Sequence, residues 1–151
     1  MVMYPVSHMK YQVIFIGADH AGFKLKEQLK KSLKNAVIED LSPDFKAGDD
    51  YPIVSKRLAQ AVTKTKEARG ILVCGSGVGV IMAANRIKGA RAFDAFDEKT
   101  VKLAREHNDA NIMALSGWRQ DAKTAKKLIG IFLNTKSSTA ARHQRRVKQL
   151  G

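Results

Sequence analysis

Cysteine is almost missing from this chain: Cys74 stands alone, so no intrachain disulfide can form. A free thiol in a reducing, cytoplasmic setting is the expectation. Proline occurs three times and tryptophan once. No apolar run approaches the roughly 20 residues that span a bilayer. The stretch Met1 to Met9 carries Pro5, Ser7 and His8 where a secretory signal would carry an apolar core. The four histidines, at positions 8, 20, 107 and 143, lack metal-ligand spacing, so no metal site is expected. These absences exclude a disulfide-stapled mini-domain and a membrane-spanning protein. What is present, 151 residues with 44% apolar content, suits one globular domain over residues 1–151.

Acidic residues are scarce, 14 against 27 Lys and Arg, which leaves a net charge of +13. Such a charge attracts nucleic acid, an anionic surface or an anionic metabolite. Most of the lysines, among them Lys24, Lys26, Lys30, Lys31 and Lys34, read as solvated helix faces. The C-terminus differs. Arg142-His143-Gln144-Arg145-Arg146-Val147-Lys148 is a dense basic cluster without interleaved aromatics. Stacking on nucleobases calls for aromatic rings, whereas a phosphate needs only the cations. A nucleic-acid partner is therefore disfavoured, and a nucleic-acid-binding module is kept as the alternative from a different class.

Strand and helix patterns alternate along the chain. Short apolar runs at Val13–Gly17, Val37–Leu41, Gly70–Cys74, Ala90–Phe93 and Asn111–Leu115 predict five strands. Between them, Phe23, Leu25, Leu29 and Leu33 share one helical face, and Val54, Leu58, Ala61 and Val62 share another. Pro52 can open the second of these helices, because its missing N–H is not needed in a first turn. Asp97 is placed to cap a helix carrying Val101, Leu103, Ala104 and His107. Asp121 to Leu133 reads as the last long helix. Strands alternating with helices imply right-handed crossovers and a parallel sheet. Ligands of such sheets bind beyond the carboxyl ends of the strands. That rule directs attention to Asp19-His20, the 42–51 loop, Cys74 to Gly79, Asp94 and Ser116.

The strongest local signal is Cys74-Gly75-Ser76-Gly77-Val78-Gly79, between a strand and a helix. Three glycines let the backbone turn tightly and aim N–H groups into one concavity, an anion site. The dinucleotide fingerprint does not fit, since Val80 stands where it needs glycine. The nucleoside-triphosphate loop fails for want of Gly-Lys-Ser/Thr. Cys74 is either a small buried hydrophobe or a thiolate favoured by the helix terminus, and its position favours the thiolate. Asp19 and His20 read equally as a helix cap with an incidental histidine or as groups for phosphate binding and proton transfer. His107 reads as a functional imidazole, a cap or a surface histidine.

Taken together these segments resemble the sugar-phosphate isomerase family that contains ribose-5-phosphate isomerase type B and the galactose-6-phosphate isomerase subunits. The carrying residues are Gly17 to Lys26, Asp50-Tyr51-Pro52, Gly70 to Gly79, Ala83-Ala84-Asn85, Leu103 to Asn111 and Arg142 to Val147, in that order over nearly the whole chain. The pattern and the resemblance imply an α/β fold: a three-layer α/β/α Rossmann-like sandwich with a five-stranded parallel sheet and a C-terminal basic helix. The resemblance further implies interconversion of ribose 5-phosphate and ribulose 5-phosphate through an enediolate, without metal or cofactor. Cys74 would take the C2 proton, and Ser76 would help move a proton between the oxygens. His107 and Asp19 would assist ring opening. The N–H groups over Gly75, Gly77, Val78 and Gly79 would hold the enediolate. Asp50, Tyr51 and Asn108 would hold sugar hydroxyls, and His20, Arg142 and Arg146 the phosphate. A homodimer or homotetramer with shared sites is implied, residues 136–151 forming an arm or helix against a partner subunit.

The chain departs from that family in places. Trp118 falls where many members carry a phosphate-binding arginine, and Arg119 beside it is expected to take over by a one-residue shift. Ala140-Ala141 replaces a usual glycine pair, and Asp44 to Asp49 is an unusual loop. A six-carbon substrate such as allose 6-phosphate is the alternative within the enzyme class.

Overall fold

The computed structural model describes residues 13–151; the Met1–Met9 stretch, with His8, lies outside the described residues. Eleven elements follow one another: β1 (Val13–Ala18), α1 (Phe23–Ser32), β2 (Val37–Asp40), α2 (Tyr51–Lys64), β3 (Arg69–Cys74), α3 (Val78–Ala84), β4 (Ala92–Asp94), α4 (Glu98–Asn108), β5 (Ile112–Ser116), α5 (Ala122–Asn134) and α6 (Ala141–Leu150). All strand pairings are parallel, in the order β2-β1-β3-β5-β4. The α/β expectation holds.

Alternate residues of each central strand feed two cores. Ile14, Ile16, Ile71, Val73, Met113 and Leu115 meet Leu25 and Leu29 of α1, Val101 of α4, and Leu128 and Phe132 of α5. Phe15, Leu72, Cys74, Ile112 and Ala114 meet Leu58, Ala59 and Val62 of α2 and Val80 and Ala84 of α3. The strands are apolar on both sides because helices cover both faces. Asp97 and Asp121 cap α4 and α5, accepting from the N–H groups of Thr100 at 2.7 Å and Thr124 at 2.8 Å.

Four details correct the expectations. Ala59, rather than Ala61, is fully buried on α2, and Leu103 faces outward on α4. β4 starts at Ala92, not Ala90: the Asn85 amide brackets Ala92, accepting from its N–H and donating to its carbonyl at 2.8 and 2.9 Å. Lys26 is not solvated. It is wholly buried, and its ammonium meets Asp40 at 2.8 Å, Glu27 at 3.0 Å and the Ser42 carbonyl. Burial alone would raise the Asp40 pKa, but donation from Lys26, Lys30 and the Ser42 N–H outweighs it and holds the carboxyl below its ordinary range. This cluster ties α1 to the end of β2, and Ser42 in turn accepts from the Ala18 N–H at 2.8 Å.

Removing Lys26 takes away the buried partner of Asp40 and leaves that carboxylate only the half-buried Lys30, at 2.6 Å, as its cation. Lys26→Ala is therefore expected to cost about 3 kcal/mol in urea unfolding at neutral pH. Because the Asp40 pKa is lowered on folding, its contribution is present above the unfolded carboxylate pKa and is lost as pH falls through the folded value. The acid limb of stability should be shallower in the variant.

Candidate active site

β1 connects outward to β2, whereas β3 leads to the opposite side of the sheet. The crevice between the carboxyl ends of β1 and β3 is thus the topological switch point, where open parallel sheets bind ligands. Asp19-His20 and Cys74 to Gly79 border it. Their loops are packed tightly. A Cβ on Gly22 would lie 2.1 Å from the Val73 carbonyl oxygen, so only glycine lets the 19–22 turn rest on β3. Gly77 caps α3 with φ at +84°, a conformation that disfavours any side chain. The Ser116 hydroxyl donates to the Gly75 carbonyl at 2.6 Å and holds the loop against β5.

Cys74 is buried, and its Sγ accepts from the Gly77 N–H at 3.0 Å. The expected preference for thiolate is not met. Burial pushes the thiol pKa up, and the negative charge of Asp19 adds to this. The N–H groups of Gly77, Val80 and Ser76 pull the other way without prevailing. The loop's N–H groups are also partly committed, since the Ser76 hydroxyl accepts from Val78 at 3.2 Å.

Asp19 is buried, accepts from the Gly22 N–H at 3.0 Å, and has its pKa raised mainly by burial. It does not cap α1, whose N-cap is Gly22. His20 is exposed. Asp49 accepts from its backbone N–H at 2.7 Å and meets its Nδ1 at 3.0 Å, and that hydrogen bond raises the imidazole pKa. The residue reading missed Asp49 as a partner; the three aspartates of its loop were the available signal. Asp50 precedes α2, and the Tyr51 ring lies over Gly79, where a Cβ would come within 2.6 Å of its Cζ.

Trp118 is 76% exposed, with its indole against Gly75, where a Cβ would lie 2.4 Å from Cζ2. The Arg119 guanidinium is bound to Asp94 at 2.6 Å and stands over the Phe96 ring at 4.9 Å.

The remaining candidates lie elsewhere. α4 begins just past the carboxyl end of β4 and runs back for 11 residues, roughly 16 Å at 1.5 Å per residue. His107 and Asn108 therefore sit near the amino ends of the strands, where the Asn111 N–H donates to the Arg91 carbonyl at 3.1 Å. α6 joins them there. His143 stacks on His107 with ring centroids 4.2 Å apart, and the Ser138 N–H donates to the Glu106 carbonyl at 2.8 Å. Arg142 and Arg146 are exposed on α6, one turn apart. One chain thus brings together Asp19, His20, Asp50, Tyr51, Cys74 to Gly79 and Arg119 at one end of the sheet. It holds His107, Asn108, Arg142 and Arg146 as a second group at the other end.

Among the described residues no cluster of three or more His, Cys, Asp or Glu could hold a metal ion, and no helix is long and apolar enough to cross a membrane.

Known proteins resemble this chain over nearly its whole length. The family model described as Ribose/Galactose Isomerase matches residues 14–150. Ribose-5-phosphate isomerase B of Mycobacterium tuberculosis is 36% identical over 137 residues, which are 89% of this chain and 85% of that protein. The crystal structure of a ribose 5-phosphate isomerase from Thermotoga maritima is 37% identical, covers 93% of this chain and 97% of its own, and superposes with a TM-score of 0.88. Ribose-5-phosphate isomerase B from Mycoplasma genitalium, crystallised with bound ribulose-5-phosphate, is 40% identical, covers 95% of both chains and gives a TM-score of 0.86. With its fold shared and nearly its whole length matched, the chain belongs to the ribose/galactose isomerase family.

Proposed function

We propose that this protein interconverts ribose 5-phosphate and ribulose 5-phosphate, as a single domain over residues 1–151 assembled into a homodimer or homotetramer. The observation that carries the reading is Cys74 at the switch-point crevice, its sulfur within 3.0 Å of the Gly77 N–H and bordered by Asp19 and His20. The names of the relatives point to the five-carbon sugar over the six-carbon alternative, and to an isomerase over a nucleic-acid-binding module.

In this reading the open-chain aldose lies across the glycine loop. Cys74 removes the C2 proton, and the electron pair moves through C1 towards the carbonyl oxygen, giving a cis-enediolate. Backbone N–H groups over Gly75 to Gly79 hold the negative oxygens, as in an oxyanion hole. Ser76 passes a proton between O1 and O2, and Cys74 returns its proton to C1, completing the ketose. Asp19 stands by the ring oxygen. Asp50 and Tyr51 hold hydroxyls, and His20, made more basic by Asp49, faces phosphate.

His107, Asn108, Arg142 and Arg146 complete the site from a second copy, because the length of the sheet separates them from Cys74 in one chain. Residues 136–151 then serve as the arm that carries the arginines across. Pure protein incubated with ribose 5-phosphate should form ketose at an unchanged rate in the presence of a chelator. Absence of ketose would reject the assignment.

Arg119 can serve the same phosphate. Its pair with Asp94 joins two side chains that are each about one-third exposed, and such a pair is worth about 0–1 kcal/mol. A charge-assisted hydrogen bond to phosphate is worth about 1.5–3 kcal/mol, so phosphate wins the guanidinium. Arg119→Ala is expected to raise KM for ribose 5-phosphate about tenfold, more than Trp118→Ala does. Equal KM values for Arg119→Ala and the parent would sink this role.

A further inference from the structure

A second basic concavity lies at the amino ends of the strands, away from Cys74. It is a cleft of about 1090 Å³ bordered by Lys66, Arg69, Lys88, Arg91, Arg105 and Lys136. Among the described residues only two carboxylates, Glu67 and Asp109, line it, which leaves a formal +4. Asp109 is already shared: it accepts from Arg91 at 3.2 Å and from Arg105 at 2.8 Å. Both of those arginines are further satisfied by backbone carbonyls, Arg91 at Asp109 and Gly89, Arg105 at Ala110 and Thr135.

Arg69 is the odd member. It donates to the Ala68 carbonyl at 3.1 Å, but its Nε is buried with no hydrogen-bond partner, and no carboxylate pairs with it among the described residues. Burial lowers its pKa to about 10, and repulsion from Arg105 and Arg91 contributes. A third arginine placed at the first position of a central strand, beside two others and short of counter-charge, is unfavourable by itself. An anion that binds there offsets the repulsion and stabilises the folded state by mass action.

We infer that this cleft is a binding site for a small polyanion bearing a chain of two or three phosphates. The charge balance matches such a ligand better than a single phosphate. Among the described residues no aromatic ring lines the cleft, so none of them would stack on a base there. Recognition rests on the phosphate chain, gripped by Arg69 at the floor and by Lys66, Lys88 and Lys136, all exposed, at the rim. The site is separate from the arginines of α6 that the isomerase reading uses.

Calorimetric titration with sodium tripolyphosphate tests this, using the full chain at about 0.1 M salt, where exposed charges are largely screened. The parent and an Arg142→Ala/Arg146→Ala variant should bind one tripolyphosphate per chain with similar affinity at this cleft. Arg69→Gln should lose at least tenfold, and Lys88→Ala/Lys136→Ala, which changes only exposed side chains, should lose severalfold. Arg69→Gln should also raise Tm in phosphate-free buffer, because it removes the repulsion, while losing the rise that tripolyphosphate gives the parent. Inorganic phosphate should bind at least tenfold more weakly, and ATP no more tightly than tripolyphosphate. Binding that survives both sets of cleft substitutions in the Arg142→Ala/Arg146→Ala background, or that vanishes in that background alone, would overturn the proposal. ATP binding tenfold tighter than tripolyphosphate would overturn the assignment to a phosphate chain.

Discussion

Cys74→Ala is expected to lower kcat by about 10²–10⁴-fold, the usual contribution of a positioned general base, while leaving the fold and the binding of phosphorylated sugar acids intact. The sulfur meets its loop through backbone N–H groups, that of Gly77 at 3.0 Å, so alanine removes the base without disturbing β3. The sign of the pH dependence follows from the same surroundings. Burial and Asp19 hold the thiol protonated above its ordinary range. If the thiolate is the base, kcat/KM of the free enzyme rises with pH along a limb set above that range. Asp19→Asn removes one of the two causes and should move this limb downwards. Near-parental turnover in Cys74→Ala, or a limb unmoved by Asp19→Asn, would reject the cysteine as base.

Mixing two inactive variants should restore activity. In a site shared between two copies, one chain supplies Cys74 and the other His107. Cys74→Ala and His107→Ala are each expected to be nearly inert as pure assemblies. When equal amounts are unfolded and refolded together, random pairing gives both parental groups to about one quarter of the sites. Activity should return to about a quarter of the parent's. A site built within one chain would show no recovery at all. The separation of the two groups by the length of α4 is what makes this experiment decisive.

The architecture was legible because its signals are local. Val13–Gly17 and Gly70–Cys74 are short apolar runs, each followed by a helical pattern, and Asp97 and Asp121 cap the helices that follow them. What was hidden depends on contacts between distant residues. Lys26 looked like one lysine among many, since Asp40 and Ser42, which bury it, lie 14 and 16 positions on. The helix terminus beside Cys74 was visible in the glycine spacing, but the opposing charge of Asp19 and the depth of the pocket were not. Insertion of β5 between β3 and β4 left no trace in the linear pattern. Arg69 lay just outside the strand read at Gly70–Cys74, and its crowding by Arg91 and Arg105 appears only once β3, β4 and β5 lie side by side.

Trp118, the sole tryptophan of the chain, stands largely in water with its ring on Gly75, at the lip of the crevice. The protein therefore carries a native fluorophore at the mouth of the candidate active site. With 295 nm excitation, chosen to leave the tyrosines dark, all emission originates at that lip. A sugar phosphate settling on the glycine loop, or a second copy covering it, replaces water around the indole and should shift its emission to shorter wavelength. Ligand binding and subunit association can thus be followed without a label, including in Cys74→Ala, where turnover no longer reports on either.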